Sequence, residues 1–143
     1  MEAKARKISS YRSLVVWQKA VDLVTDVYAA TSVFPRHELF GLTSQLRRCA
    51  VSVPSNIAEG QGRATKGEFI QFLCHARGSL FELETQLHIA SKLGYLSVEG
   101  SQSLEVKAEE VARILNGLLT SLGVASRRLP TIHFFHARLN HSR

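Results

Sequence analysis

No stretch of this sequence approaches the roughly 18–20 consecutive apolar residues that cross a bilayer, so no membrane-spanning helix is expected. The opening residues, MEAKARKISS, hold no apolar block of the kind a signal peptide carries, and the expected location is the cytoplasm. Cysteine is scarce. Cys49 and Cys74 form no CxxC pair and no tight metal-ligand spacing, so both read as small, buried or half-buried apolar residues. Sustained alternation of apolar and polar residues is missing as well, which argues against a β-sheet. There is no internal repeat and no low-complexity segment.

Catalytic constellations are equally thin. A di-iron bundle needs Glu-x-x-His, but Glu82 and Glu84 precede His88 by six and four residues. The same two carboxylates fall on different sides of a helix, so they do not form an acid–base pair. His133, His136 and His141 have no carboxylate partner near them in sequence, and no G-x-S-x-G elbow occurs. The expectation is a protein that is not an enzyme and uses no metal or cofactor.

What the chain does hold is a domain's worth of apolar residues and an uneven charge. Its 143 residues, 45% apolar and 21% charged, suit one globular domain. The net charge of +6 sits in two arms. Residues 1–12 sum to +3, through Lys4, Arg6, Lys7 and Arg12 against Glu2. Residues 126–143 sum to +4, with Arg127 and Arg128 leading, and residues 13–125 sum to −1. Such arms either contact phosphate or are merely solvated ends.

Helical periodicity is strong in four places. Leu14, Trp17, Val21, Val24 and Tyr28 recur at alternating spacings of three and four. So do Leu39, Leu42, Leu46, Cys49, Val53, Asn56 and Gly60. A third stripe runs Phe69, Leu73, Ala76, Leu80, Leu83, Leu87 and Ala90, and a fourth Leu104, Ala108, Val111, Leu115, Leu118 and Leu122. That average of about 3.5 keeps a seam facing its neighbours in a bundle. Phe34-Pro35 ends the first helix, Thr65 with Glu68 forms a capping box, Gly94 closes the third helix and Ser97 caps the fourth. Short connections between helices of 20 or more residues predict an all-α, antiparallel up-down-up-down four-helix bundle over residues 13–125. A basic arm (1–12) and a basic, histidine-containing tail (126–143) flank it.

On this register Phe40, Arg47, Arg48, Val51, Pro54 and Ala58 lie outside the second seam, and Phe81 and Ile89 outside the third. Apolar residues rimmed by charge suggest a subunit interface through Phe40, Val51, Pro54, Ala58, Phe81 and Ile89. Pro54, on the outer face, is expected to kink its helix. Asn56, a seam amide, needs partners, with Ser79 and Gln86 the candidates. The loop GQGRATKGE places Arg63 and Lys66 before a helix start, as a basic turn or a phosphate contact. Basic residues available for nucleic acid are Arg47, Arg48, Arg63 and Lys66 on the body, with Lys4, Arg6, Lys7, Arg127 and Arg128 on the arms. No aromatic–basic module of the RRM or OB type is visible.

The segments LVVWQKAVDLVTDVY, FPRHELFGLTSQLRRCAVSVPSNIAEGQGR and EFIQFLCHARGSLFELETQLHIASKLGYL together resemble the 23S rRNA intervening-sequence proteins, also called S23 ribosomal proteins. The resemblance covers roughly residues 11–124. It implies a bacterial four-helix bundle without established catalysis, rings of five subunits, and an association with rRNA. Related bundles accompany the reverse transcriptases of diversity-generating retroelements, which leaves an adaptor role as the alternative to RNA binding. The tail after Gly123 lies beyond the family pattern.

Overall fold

Four amphipathic segments become four helices because each can hide an apolar face only against the others. A computed structural model describes residues 10–125, and in it α1 spans Val15–Thr31, α2 Leu42–Gln61, α3 Lys66–Lys92 and α4 Val98–Ser121. Among the described residues there is no strand. Lys4, Arg6, Lys7, Arg127 and Arg128, and with them the two arms apart from residues 10–12, lie outside the described residues.

The ends of the helices follow their cap chemistry. Thr65 Oγ1 accepts from the Glu68 amide at 3.2 Å, and Ser97 Oγ accepts from the Gly100 amide at 3.0 Å. α3 closes at Gly94, whose φ of +77° lets the Tyr95 amide reach back to the Ala90 carbonyl. α1 ends earlier than the proline signal implies. Its last residue is Thr31, so it has 17 residues, shorter than expected. Thr31 Oγ1 turns back to the Val27 carbonyl at 2.8 Å, and the chain leaves through Ser32 before Pro35 is reached.

Each helix packs on two others, in the cyclic order α1, α2, α3, α4 and back to α1. The core between them is a single cluster rich in leucine, valine and alanine. Contacts between α2 and α3 descend one helix as they climb the other. Cys49 meets Glu82, Ser52 meets Ser79, and Gly60 faces Phe72, so these two helices run in opposite directions. They approach tightly at Gly60, where a Cβ would lie 2.6 Å from the Phe72 Cβ. Only glycine fits that crossing. Among the described residues no helix is long and apolar enough to cross a membrane.

The α3 stripe is buried as expected from Leu73 to Ala90. α4 follows through Leu115 and then turns, with Leu119 buried in place of Leu118. α1 differs throughout. Its buried row is Val16, Ala20, Leu23, Val27 and Thr31, one residue back from the expected seam. Both rows are apolar, and the smaller residues of the inner row allow the closer approach. Trp17 and Val24 pack at its edge, while Tyr28 stays exposed.

α2 corrects two expectations. Pro54 is buried, not outward, inside a helix that continues to Gln61. The inner arc of α2 is wide, because α1 and α3 flank it on both sides. Thr43, Cys49, Ala50, Val53, Pro54 and Ile57 all fall within that arc. The pyrrolidine ring therefore fills core space, while its missing N–H leaves the Ala50 carbonyl without its helical donor. Ile57 takes the buried position expected of Asn56, which sits half-buried at the edge.

Candidate nucleic-acid interface

The first turns of α2 and the segment leading into it hold Phe40, Arg47 and Arg48, three of the residues singled out in the sequence. Glu38 Oε2 accepts from the Leu42 amide at 3.0 Å, fixing the start of α2 where Gly41 has no side chain to cap it. That anchoring turns Phe40 outward until it is 94% exposed, the most exposed large apolar side chain among the described residues. Leu39 and Val51 are exposed on the same side, as is Tyr28 of α1.

These residues converge. Tyr28, Leu39, Phe40, Thr43, Ser44, Arg47, Arg48 and Val51 line an open groove of about 520 Å³ between α1 and α2. Among the described residues no carboxylate lines it. Arg47 is held from two directions: its Nε donates to Thr31 Oγ1 at 2.9 Å, and its guanidinium lies 4.6 Å from the Tyr28 ring centroid. Arg48, one residue on, is exposed and makes no hydrogen bond or ion pair among the described residues. One arginine is thus preset and one is free. Phe40 and Val51, expected to face another subunit, share this groove with the two arginines expected to face nucleic acid.

The other basic candidates are placed differently. Arg63 Nη2 bonds Glu59 Oε1 at 2.8 Å, and the guanidinium stacks 4.8 Å from the Phe72 centroid, so its charge is largely answered within the chain. Lys66 is exposed at the first position of α3. Neither belongs to the groove.

The polar candidates form a thread between α2 and α3. Asn56 Nδ2 donates to the Ser52 carbonyl at 2.8 Å and to Ser52 Oγ at 3.0 Å, and that hydroxyl pairs with Ser79 Oγ at 2.8 Å. Asn56 therefore reaches Ser79 through Ser52, a residue whose sequence setting carries no signal of its own. Gln86 takes no part in the thread, and its Oε1 is buried without a hydrogen-bond partner among the described residues. Cys49 lies beside the thread, with its Sγ donating to the Ser79 carbonyl at 3.0 Å. Burial, then the hydrogen bond and charge of Glu82, push this thiol up to about 12, which keeps it protonated and unreactive.

On the remaining faces, Ile89 is exposed and Phe81 and Ala58 are half-buried. Glu84 forms no ion pair among the described residues, and its Oε1 is buried without a hydrogen-bond partner there. Burial, then the charges of Glu109 and Glu105, raise its carboxyl to about 7. Lys19–Glu110 and Lys107–Asp26 join α1 to α4. Among the described residues no group of three His, Cys, Asp or Glu side chains is placed to hold a metal ion.

Fold and site together define an all-α four-helix bundle with an open aromatic–arginine groove between its first two helices. The chain belongs to the 23S rRNA-intervening sequence protein family, whose model matches residues 12–117. Its fold is shared by a protein of unknown function from the S23 ribosomal protein family of Bacteroides thetaiotaomicron VPI-5482, at a TM-score of 0.68 and 21% identity. That match covers 74% of this chain and 96% of the other. No curated protein matches the chain.

Proposed function

We propose that this protein is a non-enzymatic, cytoplasmic RNA-binding bundle, associated with rRNA and working as an oligomer. One observation carries the reading: Arg47 and Arg48 line a groove that contains no carboxylate, and Arg48 has no partner of its own among the described residues. Unanswered arginines on an open surface are the side chains that phosphate satisfies. The arm residues Lys4, Arg6, Lys7, Arg127 and Arg128 add sequence-independent attraction, and Lys66 a further contact; Arg63, neutralised by Glu59, contributes little. In this reading all four helices alternate in direction. Subunits meet through Ile89 and Phe81 of α3 with Ala58 of α2, which leaves the groove open, and the family resemblance favours five of them.

A fluorescence-anisotropy titration with RNA tests the binding. Affinity should be clear at low salt and fall steeply as salt rises. No binding, or binding indifferent to salt, overturns the proposal. Sedimentation equilibrium tests the assembly separately, and a monomer would remove the oligomer from the reading.

A second reading is favoured by the exposure of Phe40, Leu39 and Val51 together. Such a surface also fits a partner protein, for which the bundle would act as an adaptor. Capture of a defined partner without RNA, lost on changing Phe40, would select it.

A further inference from the structure

Phe40 sits on a turn between two helices with both ring faces open, an arrangement that burial cannot explain. The same groove presents Arg48, unpaired among the described residues, and Arg47, already stacked on Tyr28. We propose that this groove binds single-stranded RNA, with an unpaired base stacked on Phe40 and the adjoining phosphate held by Arg48. The inference deepens the RNA-binding reading and rests on it.

Three features point to an unpaired strand rather than a duplex. First, an aromatic ring open on both faces is a stacking platform, and only a base freed from its own stack can use it. Second, the groove is an open hollow of about 520 Å³, with room for a single base beside Phe40. A duplex presents phosphates to such a hollow but cannot insert a base. Third, the charge complement is one-sided: two guanidinium groups and no carboxylate suit a polyanion. Arg47 cannot move freely, because Thr31 and Tyr28 fix it, so it offers a preset positive wall while Arg48 reaches. Ser44, half-buried at the groove's edge, supplies a hydroxyl able to meet a base edge or a ribose 2′-hydroxyl. Stacking on Phe40 tolerates any base, so the expected selectivity is for strandedness rather than sequence.

The test uses the full chain and two anisotropy probes: a fluorescein-labelled oligoadenylate, and the same strand annealed to its oligouridylate complement. The wild type should bind the single strand more tightly than the duplex. Phe40→Ala should weaken single-strand binding about tenfold with an unchanged salt slope and leave the duplex unaffected, and Phe40→Trp should restore it. Arg48→Gln should weaken both probes and lower the single-strand salt slope by about 0.7. Phe40 is exposed, so these variants should keep the wild-type circular dichroism spectrum. If Arg48→Gln weakens binding while Phe40→Ala does not, the RNA-binding reading survives and the stacking inference is overturned. If Phe40→Ala changes only the sedimentation of the protein, the groove is a subunit contact and the inference is again overturned. If the wild type binds neither probe at low salt, both fall.

Discussion

Gly60 limits how the bundle can change at a single position. Its missing side chain lets α2 approach Phe72 and Phe69 of α3, and a Cβ there would stand 2.6 Å from the Phe72 Cβ, a contact the backbone must relieve. Gly60→Ala should gain a little in helix propensity and lose far more in packing, lowering stability by about 1–3 kcal/mol in chemical denaturation. Gly78, in the middle of α3 with nothing within 4 Å of its would-be Cβ, is the control, and Gly78→Ala should be neutral or mildly stabilising. Glu84 sets a pH dependence of opposite sign to that of an ordinary surface carboxylate. Its folded-state value of about 7 exceeds the unfolded 4.5, so between the two the unfolded chain releases its proton first. Stability should fall as pH rises through that window, with no cost below it and the full cost above. Because Glu84 is only partly enclosed, that cost is on the order of 1 kcal/mol. Urea denaturation of Glu84→Gln should show a gain over wild type above neutrality and none in acid; an equal gain at both would assign the effect to packing.

At the scale of a helix, α2 shows most clearly what a sequence can and cannot disclose. α3 was legible because a single unbroken apolar row, from Leu73 to Ala90, runs along it, and that row is the buried one. α1 carries two adjacent apolar rows with the same spacing, so periodicity alone does not choose between Val16-Ala20-Leu23 and Trp17-Val21-Val24. In α2 the average period of 3.5 follows the seam only until the helix, turning at about 3.6, drifts inward through Pro54 and Ile57. The groove was legible in pieces: Phe40, Val51, Arg47 and Arg48 stood out, but assigned to two different surfaces. Only tertiary packing brings Tyr28 of α1 beneath Arg47 and makes them one site. Ser52 shows the same limit, since a serine on a helix looks solvated until Asn56 and Ser79 close on it from two sides. Ser52→Ala should therefore cost about 1–2 kcal/mol, more than a surface serine, because two polar partners lose it at once. A double-mutant cycle with Ser79→Ala should be strongly non-additive; additive losses would mean the thread is a chance proximity.

For the whole molecule the decisive property is where the charge lies. Residues 13–125 hold 10 Lys and Arg against 11 Asp and Glu, so the bundle is nearly neutral at −1 and the arms, at +3 and +4, supply the net charge of +6. On a nearly neutral body a local site must act through contact rather than through a general field, and the Arg47–Arg48 groove meets that condition because its own lining is unbalanced. On the RNA-binding proposal the arms, by contrast, act at a distance and without regard to the form of the nucleic acid. The two contributions can be separated in the intact chain. Replacing Lys4, Arg6, Lys7, Arg127 and Arg128 with glutamine removes five charges outside the bundle and leaves every groove residue in place. The variant should bind RNA more weakly and with a shallower dependence on salt, each lost phosphate contact reducing the slope by about 0.7 on a single strand. Its preference for the single strand over the duplex should persist, since Phe40 and Arg48 are untouched. Anisotropy titrations across a salt series read both quantities at once. If the preference vanishes with the arms, the groove plays no part in recognition, and the nearly neutral bundle is a scaffold that carries two basic ends to the RNA.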